Sequence, residues 1–198
     1  MSTTPKPLDR LLATLETNRF VTIKDKFKEI MVPLYFKKGR IIVGLGQIND
    51  SIYLIEKGVI RTYYQKGFED ITARMISEGE IANIAESFFS HSPSMEIMET
   101  LEDTKVWAIS YIDYRALAHQ EHLVAELIIQ LLEERLVNFS EKVRLFKSMT
   151  VTERIQYYIQ SPGSLYRRVP DHYIATYLGM TPSTFSRCLK SYFRDVEG

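Results

Sequence analysis

The stretch Pro170–Phe193 constrains this chain more than any other. It reads as two short helices around a tight turn. Ile174, Ala175 and Leu178 give the first helix an apolar face. Gly179 follows and supplies the positive φ that a helix end often requires. Thr181 is an N-cap and Pro182 a first helical residue. Along the second helix, expected over 182–193, Phe185, Cys188 and Leu189 fall on one side. Ser183, Ser186, Arg187 and Lys190 fall on the other. Ala175 is small enough for the two helices to approach closely. This spacing is that of a helix-turn-helix.

In that layout the second helix enters the major groove of duplex DNA. The residues placed to meet it are Thr181, Pro182, Ser183, Thr184, Ser186, Arg187 and Lys190. Among them Arg187 alone can pair bidentately with O6 and N7 of guanine. Lys190 suits a phosphate. Charge is distributed accordingly. The 198 residues carry 25 Lys/Arg and 25 Asp/Glu, so the formal net charge is zero. From Ser140 onward, however, nine Lys/Arg stand against five Asp/Glu. The positive end is the one with the paired helices, as phosphate neutralisation requires.

Several chemistries are excluded. Cys188 is the only cysteine, so an intrachain disulfide, a Cys-based zinc site and an iron–sulfur cluster have no ligands. A haem would need an axial ligand, and His91, His119, His122 and His172 all lie in ordinary contexts. No P-loop, nucleophile elbow, metal pair or Cys/His dyad occurs, so the chain is not expected to be an enzyme, and no metal or cofactor is expected. The start, Met-Ser-Thr-Thr-Pro-Lys-Pro, has no apolar leader core, and no run approaches the ~18 apolar residues of a membrane span. A cytoplasmic protein without membrane contact is expected.

Ahead of the paired helices the periodicity changes twice. Residues 8–30 read as helical, through Leu8, Leu11, Leu12 and Leu15 and then Phe20, Ile23, Phe27 and Ile30. Short β-rich runs follow at Leu34–Phe36, Arg40–Val43, Ser51–Glu56, Val59–Tyr64, Ile71–Ile76 and Lys105–Ser110, punctuated by Lys-Gly and Asn-Asp turns. Such regular spacing predicts an antiparallel sandwich or barrel. A short helix is expected at Ile84–Phe89. From Asp113 to about Lys147 one long helix is expected, with two apolar stripes. Leu117, Val124, Leu127, Ile128 and Leu131 form one stripe, which would cover the sheets. Ala118, His122, Ala125, Ile129, Leu132, Leu136, Phe139, Val143 and Phe146 form a heptad seam. The simplest partner for that seam is a second copy of the helix in a two-fold dimer. Its interface residues would be Ala125, Ile129, Leu132, Leu136, Phe139 and Val143. A further helix is expected over Thr150–Ile159.

This order of parts resembles the Crp/Fnr family of bacterial transcription regulators, over nearly the whole chain. Tyr35-Phe36-Lys37-Lys38-Gly39 through Tyr53-Leu54-Ile55-Glu56-Lys57-Gly58 is similar to the family's early roll. Arg168-Val169-Pro170 through Ile174-Ala175-Thr176-Tyr177-Leu178-Gly179 to Phe185-Ser186-Arg187 is similar to its DNA-binding half. The resemblance implies an α+β fold: an antiparallel β-roll of double-stranded jelly-roll type with flanking helices, a long dimerisation helix and a C-terminal winged-helix-like helix-turn-helix domain. The corresponding boundaries are 1–112, 113–147 and 148–198. It also implies a homodimer that binds double-stranded DNA and touches RNA polymerase.

Cyclic-nucleotide-binding members of that family open a phosphate cassette with Gly-Glu-Leu and close it with an Arg-Ser pair. Counting on from the Gly79-Glu80 turn puts Asn83-Ile84-Ala85 at the opening, with Glu86 two residues late. Pro93-Ser94 stands at the Arg-Ser position. A buried phosphate needs a charge-assisted donor, and the cassette arginine is missing. The expectation is a pocket that does not take cyclic AMP, with an unidentified small-molecule effector or none. Two readings stay open beside it: a cyclic-AMP-responsive regulator, and a β-roll sensor or adaptor that meets protein rather than specific DNA.

Overall fold

The computed structural model describes residues 23–161 and 163–197. The part of the expected first helix over 8–22 lies outside them. Within them the order is α1 (Lys24–Ile30), β1 (Val32–Phe36), β2 (Ile41–Val43), β3 (Ser51–Lys57), β4 (Ile60–Lys66), β5 (Glu69–Ile76), β6 (Ile81–Ala82), α2 (Ala85–Ser90), β7 (Ile97–Thr100), β8 (Thr104–Ser110), α3 (Tyr111–Gln120), α4 (His122–Ser148), α5 (Val151–Gln160), α6 (Asp171–Tyr177) and α7 (Pro182–Glu197). The chain forms two compact units. One takes Arg74–Leu132 and the chain up to Tyr64. The other takes Gln65–Ala73 and the chain from Glu133 onward.

The strands make two four-stranded sheets, ordered β1-β8-β3-β6 and β2-β7-β4-β5. Together they form an antiparallel β-roll in an α+β chain. Strand β3 shows why. It runs Ile52-Tyr53-Leu54-Ile55 with no polar alternation, because both of its faces are covered. Tyr53 and Ile55 turn into the roll, where they join Val43, Ile60, Ile76, Met98, Val106 and Ala108. Leu54 turns outward and packs with Ile23, Met31, Ile109, Leu117, Val124 and Leu127 under the helices. Pairing of Tyr53 with Ala108 and of Ile55 with Val106 holds that register.

One glycine is fixed by space as well as by dihedral angle. Gly58, between β3 and β4, has φ +111°, and a Cβ there would stand 2.4 Å from Thr104 Oγ1 and 2.8 Å from Thr104 Cα. No other residue fits that turn.

Three expectations are corrected. The helix expected from Asp113 to Lys147 is two helices, α3 and α4, broken at Glu121, which is extended (φ −118°, ψ 104°). The break lets Glu121 pair with Lys26 at 3.2 Å and accept the first backbone bonds of α4 from Val124 and Ala125. The sheets also hold two strands beyond those expected. β6 has only two residues and β7, Ile-Met-Glu-Thr, only four, too few to show a period; pairing with β2 and β4 holds β7 extended. In the C-terminal segment the described residues from 148 on hold helices and turns and no strand, so the wing of a winged helix has no counterpart among them. Among the described residues no helix is long and apolar enough to cross a membrane.

Candidate effector cassette and nucleic-acid interface

The cassette residues lie between β6 and β7. Asn83 and Ile84 are buried, and Ala85, Glu86 and Pro93 are exposed. Asn49, fully buried on the neighbouring loop, organises the segment. Its Oδ1 accepts from the Ile84 amide (2.7 Å), its amide donates to Ser87 Oγ (2.9 Å), and its Nδ2 donates to the Ser51 carbonyl (2.6 Å). Ser87 Oγ in turn donates to the Ser92 carbonyl. Ser94 is also buried. Its hydroxyl donates to the Glu96 carbonyl (2.7 Å) and accepts from the Glu96 amide (3.0 Å). The hydroxyl retained at the Arg-Ser position is thus engaged by its own turn, and no arginine precedes it.

Two arginines that sequence reasoning passed over lie elsewhere on the roll. Arg74, on β5, donates to the carbonyls of Asn83 (3.1 Å) and Ile81 (3.3 Å). It therefore satisfies main-chain acceptors where β6 ends and the cassette opens. Arg61, 1% exposed, pairs with Glu99 at 2.8 Å and lies over the Tyr63 ring at 4.2 Å. Arg61 and Glu99 are 38 positions apart, so only the β4–β7 pairing brings them together. Phe88, at the centre of α2, is fully buried and meets the rings of Phe89, Tyr111 and Tyr114 edge-on. These contacts hold the cassette helix to α3.

In the C-terminal unit, α5 begins with a capping box. The Thr150 hydroxyl accepts from the Glu153 amide, and the Glu153 carboxylate accepts from the Thr150 amide (2.7 Å). That backbone bond, with the Thr150 hydroxyl, holds the Glu153 carboxyl below the usual carboxylate range. Ile155 of α5 and Ile174, Ala175 and Leu178 around α6 are buried, together with Phe185 and Leu189 of α7. Burial pushes the Tyr158 phenol up to about 12.

Between α6 and α7 the chain makes a Schellman turn. The Gly179 amide donates to the Thr176 carbonyl (3.1 Å), the Met180 amide donates to the Ala175 carbonyl (3.0 Å), and Gly179 has φ +72°. Arg154 reaches over from α5 and takes the Leu178 carbonyl at 3.0 Å. Thr181 then caps α7 by accepting from the Thr184 amide (3.2 Å), and Pro182 is the first helical residue. The hydroxyls of Thr181, Ser183 and Thr184 cluster within 3.0 Å of Thr181 Oγ1. Ser183, Ser186, Arg187 and Lys190 are exposed, and Cys188 is half-buried on the inner side. The fold therefore groups Thr181–Thr184 at the helix start and strings Ser183, Arg187 and Lys190 along one outward face.

The stripes of α4 separate. Val124 and Leu127 are buried with Leu117, and Ile128 and Leu131 pack against them. Along the seam, Ile129, Leu136 and Phe139 are 55%, 66% and 63% exposed, Leu132 and Val143 are exposed as well, and Ala125 is half-buried. Sequence reasoning also missed a hydrogen-bond pair in the C-terminal unit. The Thr176 hydroxyl of α6 accepts from the Thr72 amide (3.2 Å) and donates to Thr72 Oγ1 (2.9 Å) on β5.

Residues 33–121 match the cyclic nucleotide-binding domain family. No curated protein matches the chain. Solved structures do. FixK2 from Bradyrhizobium japonicum is similar at 18% identity over 84% of this chain and 86% of that one, with a TM-score of 0.71. The catabolite activator protein of Thermus thermophilus is similar at 22% identity over 94% and 87%, with a TM-score of 0.55. CLP from Xanthomonas campestris, described as a c-di-GMP-responsive global regulator, is similar at 16% identity over 93% and 92%, with a TM-score of 0.65. Residues 33–121 thus match a cyclic nucleotide-binding domain, in a chain that shares its fold with FixK2 and with a Crp/Fnr-family regulator from Eubacterium rectale.

Proposed function

We propose that the chain is a homodimeric, DNA-binding transcription regulator of Crp/Fnr type, whose cassette does not take cyclic AMP. One observation carries the reading. A Schellman turn at Gly179 joins two short helices, and the second presents Ser183, Ser186, Arg187 and Lys190 outward while Phe185 and Leu189 anchor it. That is the helix-turn-helix arrangement, with α7 as the recognition helix. The apolar seam on α4 gives the second copy its place, and two-fold symmetry then demands a pseudo-palindromic operator with half-sites about 34 Å apart. Contact with RNA polymerase and a cytoplasmic location belong to the same reading. The cassette supports the negative half. Ser94 bonds to Glu96, Glu86 faces out, and Pro93 stands where the phosphate-binding arginine would be. Closing a phosphate into a site without its cation costs several kcal/mol, of the order ~2–7 for an unpaired buried polar group and more for a charge.

The test starts from binding-site selection on random duplex DNA, followed by affinities on operator and scrambled DNA across a salt series. Arg187→Ala should lose about 1–3 kcal/mol on the operator and little on scrambled duplex. Lys190→Ala should weaken both and lower the salt slope. Equal losses for Arg187→Ala on the two DNAs would show that Arg187 does not read bases. No salt-dependent affinity for duplex DNA at all would favour a sensor or adaptor that meets protein.

A further inference from the structure

Ahead of the paired helices the segment Leu165–Arg168 closes a tight turn. The Arg168 amide donates to the Leu165 carbonyl at 2.9 Å, and the Val169 amide donates to the same carbonyl at 3.1 Å. Arg167 occupies the third position of this turn with φ +67°. That position favours glycine or asparagine, because a Cβ crowds the backbone when φ is positive. Only His91 shares the feature among the described non-glycine residues. The turn's own hydrogen bonds are made by its neighbours and place no demand on an arginine side chain. A residue that strains the backbone without serving the turn points to a role for the side chain.

The side chain is held in place. Its guanidinium lies 5.5 Å from the centroid of the Tyr166 ring. That ring stacks on Phe193 of α7, with centroids 6.1 Å apart and planes 28° apart. Phe193 sits on the helix flank next to the row Arg187, Lys190 and Arg194, which recurs at helical spacing on the exposed face. The ladder Arg167–Tyr166–Phe193 therefore sets an exposed cation beside the C-terminal half of α7. Among the described residues no acidic side chain pairs with it. Arg168, also exposed, adds a second charge to the turn.

We propose that Arg167 is a DNA-backbone anchor, its guanidinium clamping a phosphate next to the groove that α7 enters. The inference rests on the helix-turn-helix reading and extends the interface to a turn outside the motif. A planar guanidinium fork matches two phosphate oxygens, and an aromatic stack limits the freedom lost when it binds. Such a contact fixes how the helix sits and carries no sequence information.

The test uses the full chain with Arg167→Gly, Tyr166→Ala and Tyr166→Phe, on operator and scrambled duplex across a salt series. Glycine accepts the turn's positive φ, so Arg167→Gly should melt no lower than wild type. It should nonetheless bind both DNAs roughly fivefold more weakly, the scale of one exposed charge pair. Its slope of log affinity against log salt should be shallower by about 0.9, the value for one phosphate. Tyr166→Phe should keep wild-type binding, and Tyr166→Ala should lose part of it on both DNAs. Wild-type affinity and slope in Arg167→Gly, while Lys190→Ala still weakens binding, would overturn this proposal and leave the DNA reading intact. A loss confined to the operator would overturn it as well, since Arg167 would then be reading bases. Absence of salt-dependent duplex binding by the wild type would sink both.

Discussion

The cassette of the roll and the outer face of α7 are both rich in small polar residues, and they use them in opposite ways. In the cassette, Asn49, Ser87 and Ser94 are buried, and their side chains bond to the chain's own backbone at Ile84, Ser51, Ser92 and Glu96. On α7, Ser183, Ser186, Arg187 and Lys190 face solvent, and only Ser183 joins the cap hydroxyls. A buried donor or acceptor must find a partner inside the protein, so the cassette's capacity goes into its own loop. An exposed one keeps its capacity for a visitor. The contrast shows how a chain whose residues 33–121 match a cyclic nucleotide-binding domain spends the polar groups of this loop on its own backbone.

The same contrast runs along α4, and there it is most open to being broken. Leu127 faces the roll's helices and is buried, whereas Ile129 and Leu136 face outward. If the outward stripe is a two-fold seam, a charge placed in it lies in an apolar interface, at a cost of about 3–5 kcal/mol for an unpaired buried ion. Ile129→Glu and Leu136→Glu should each give a folded monomer in sedimentation, with the roll's circular dichroism unchanged. Dimers that survive both changes would place the seam elsewhere. Leu127→Ala, by contrast, should cost about 2–5 kcal/mol of stability without touching oligomeric state.

Next in size is Asn49. Replacing it by Ala leaves the Ile84 amide and the Ser51 carbonyl short of a partner in a closed loop, at about 1–3 kcal/mol for each buried group. Denaturant unfolding should show a loss of about 3 kcal/mol in the roll, while DNA affinity per folded molecule holds. Ser183→Ala should stay within about 0.5 kcal/mol in the same measurement, as an exposed substitution does. A large stability loss from Ser183→Ala would erase the distinction between the two regions.

How much of this the sequence carried depends on the length of the signal. The stripes of α4, the Gly179 turn and the Thr181 cap are local patterns within a few residues, and each was legible, whereas Thr150 was legible only as the start of a helix. Six strands were legible for the same reason. β6 and β7 were not, since two residues and four are too few to show a period, and pairing with β2 and β4 holds β7 extended. The break at Glu121 carries no proline or glycine, so the helical pattern runs straight across it. Within the cassette, the missing arginine and the Pro93-Ser94 pair could be read directly. What Ser94 bonds to, and the roles of Asn49, Arg61 and Arg74, depend on residues far apart in the chain. The turn that holds Arg167 was visible only as a basic pair, because its positive φ leaves no mark on composition.

The two threonine caps give a smaller effect with a sharper contrast. Thr150 starts α5 through its capping box, and Thr181 starts α7 through the Thr184 amide. Thr150→Ala and Thr181→Ala should each cost about 1 kcal/mol of stability, the usual value for a lost N-cap. Only Thr181 also belongs to the proposed DNA surface. Thermal unfolding beside DNA titration should therefore show equal melting losses and a drop in affinity for Thr181→Ala alone. An equal drop for Thr150→Ala would mean that helix stability, rather than contact, governs binding.

The smallest expected effect is none at all. A ligand that binds only the folded state raises its stability by about 2.7 kcal/mol at a hundred times its dissociation constant, and the melting temperature follows. For cyclic AMP or cyclic GMP to do so here, the phosphate would have to enter a loop where Ser94 is bonded to Glu96 and Pro93 supplies no charge. Ser94 would also have to release the Glu96 carbonyl to donate elsewhere. Glu86, the nearest acid to a ribose-binding position, is exposed on α2, beyond the buried Asn83 and Ile84. Arg74, on β5, already donates to this loop, and moving it to a phosphate would break its bonds to the carbonyls of Asn83 and Ile81. Each of these exchanges trades a formed hydrogen bond for a new one, so the net gain from the ligand shrinks towards zero. Titration of either nucleotide into the millimolar range should leave the melting temperature and the operator affinity where they were. A saturable rise in melting temperature with a parallel change in DNA affinity would show that the cassette opens, with Arg74 as the first residue to mutate in search of the phosphate's partner.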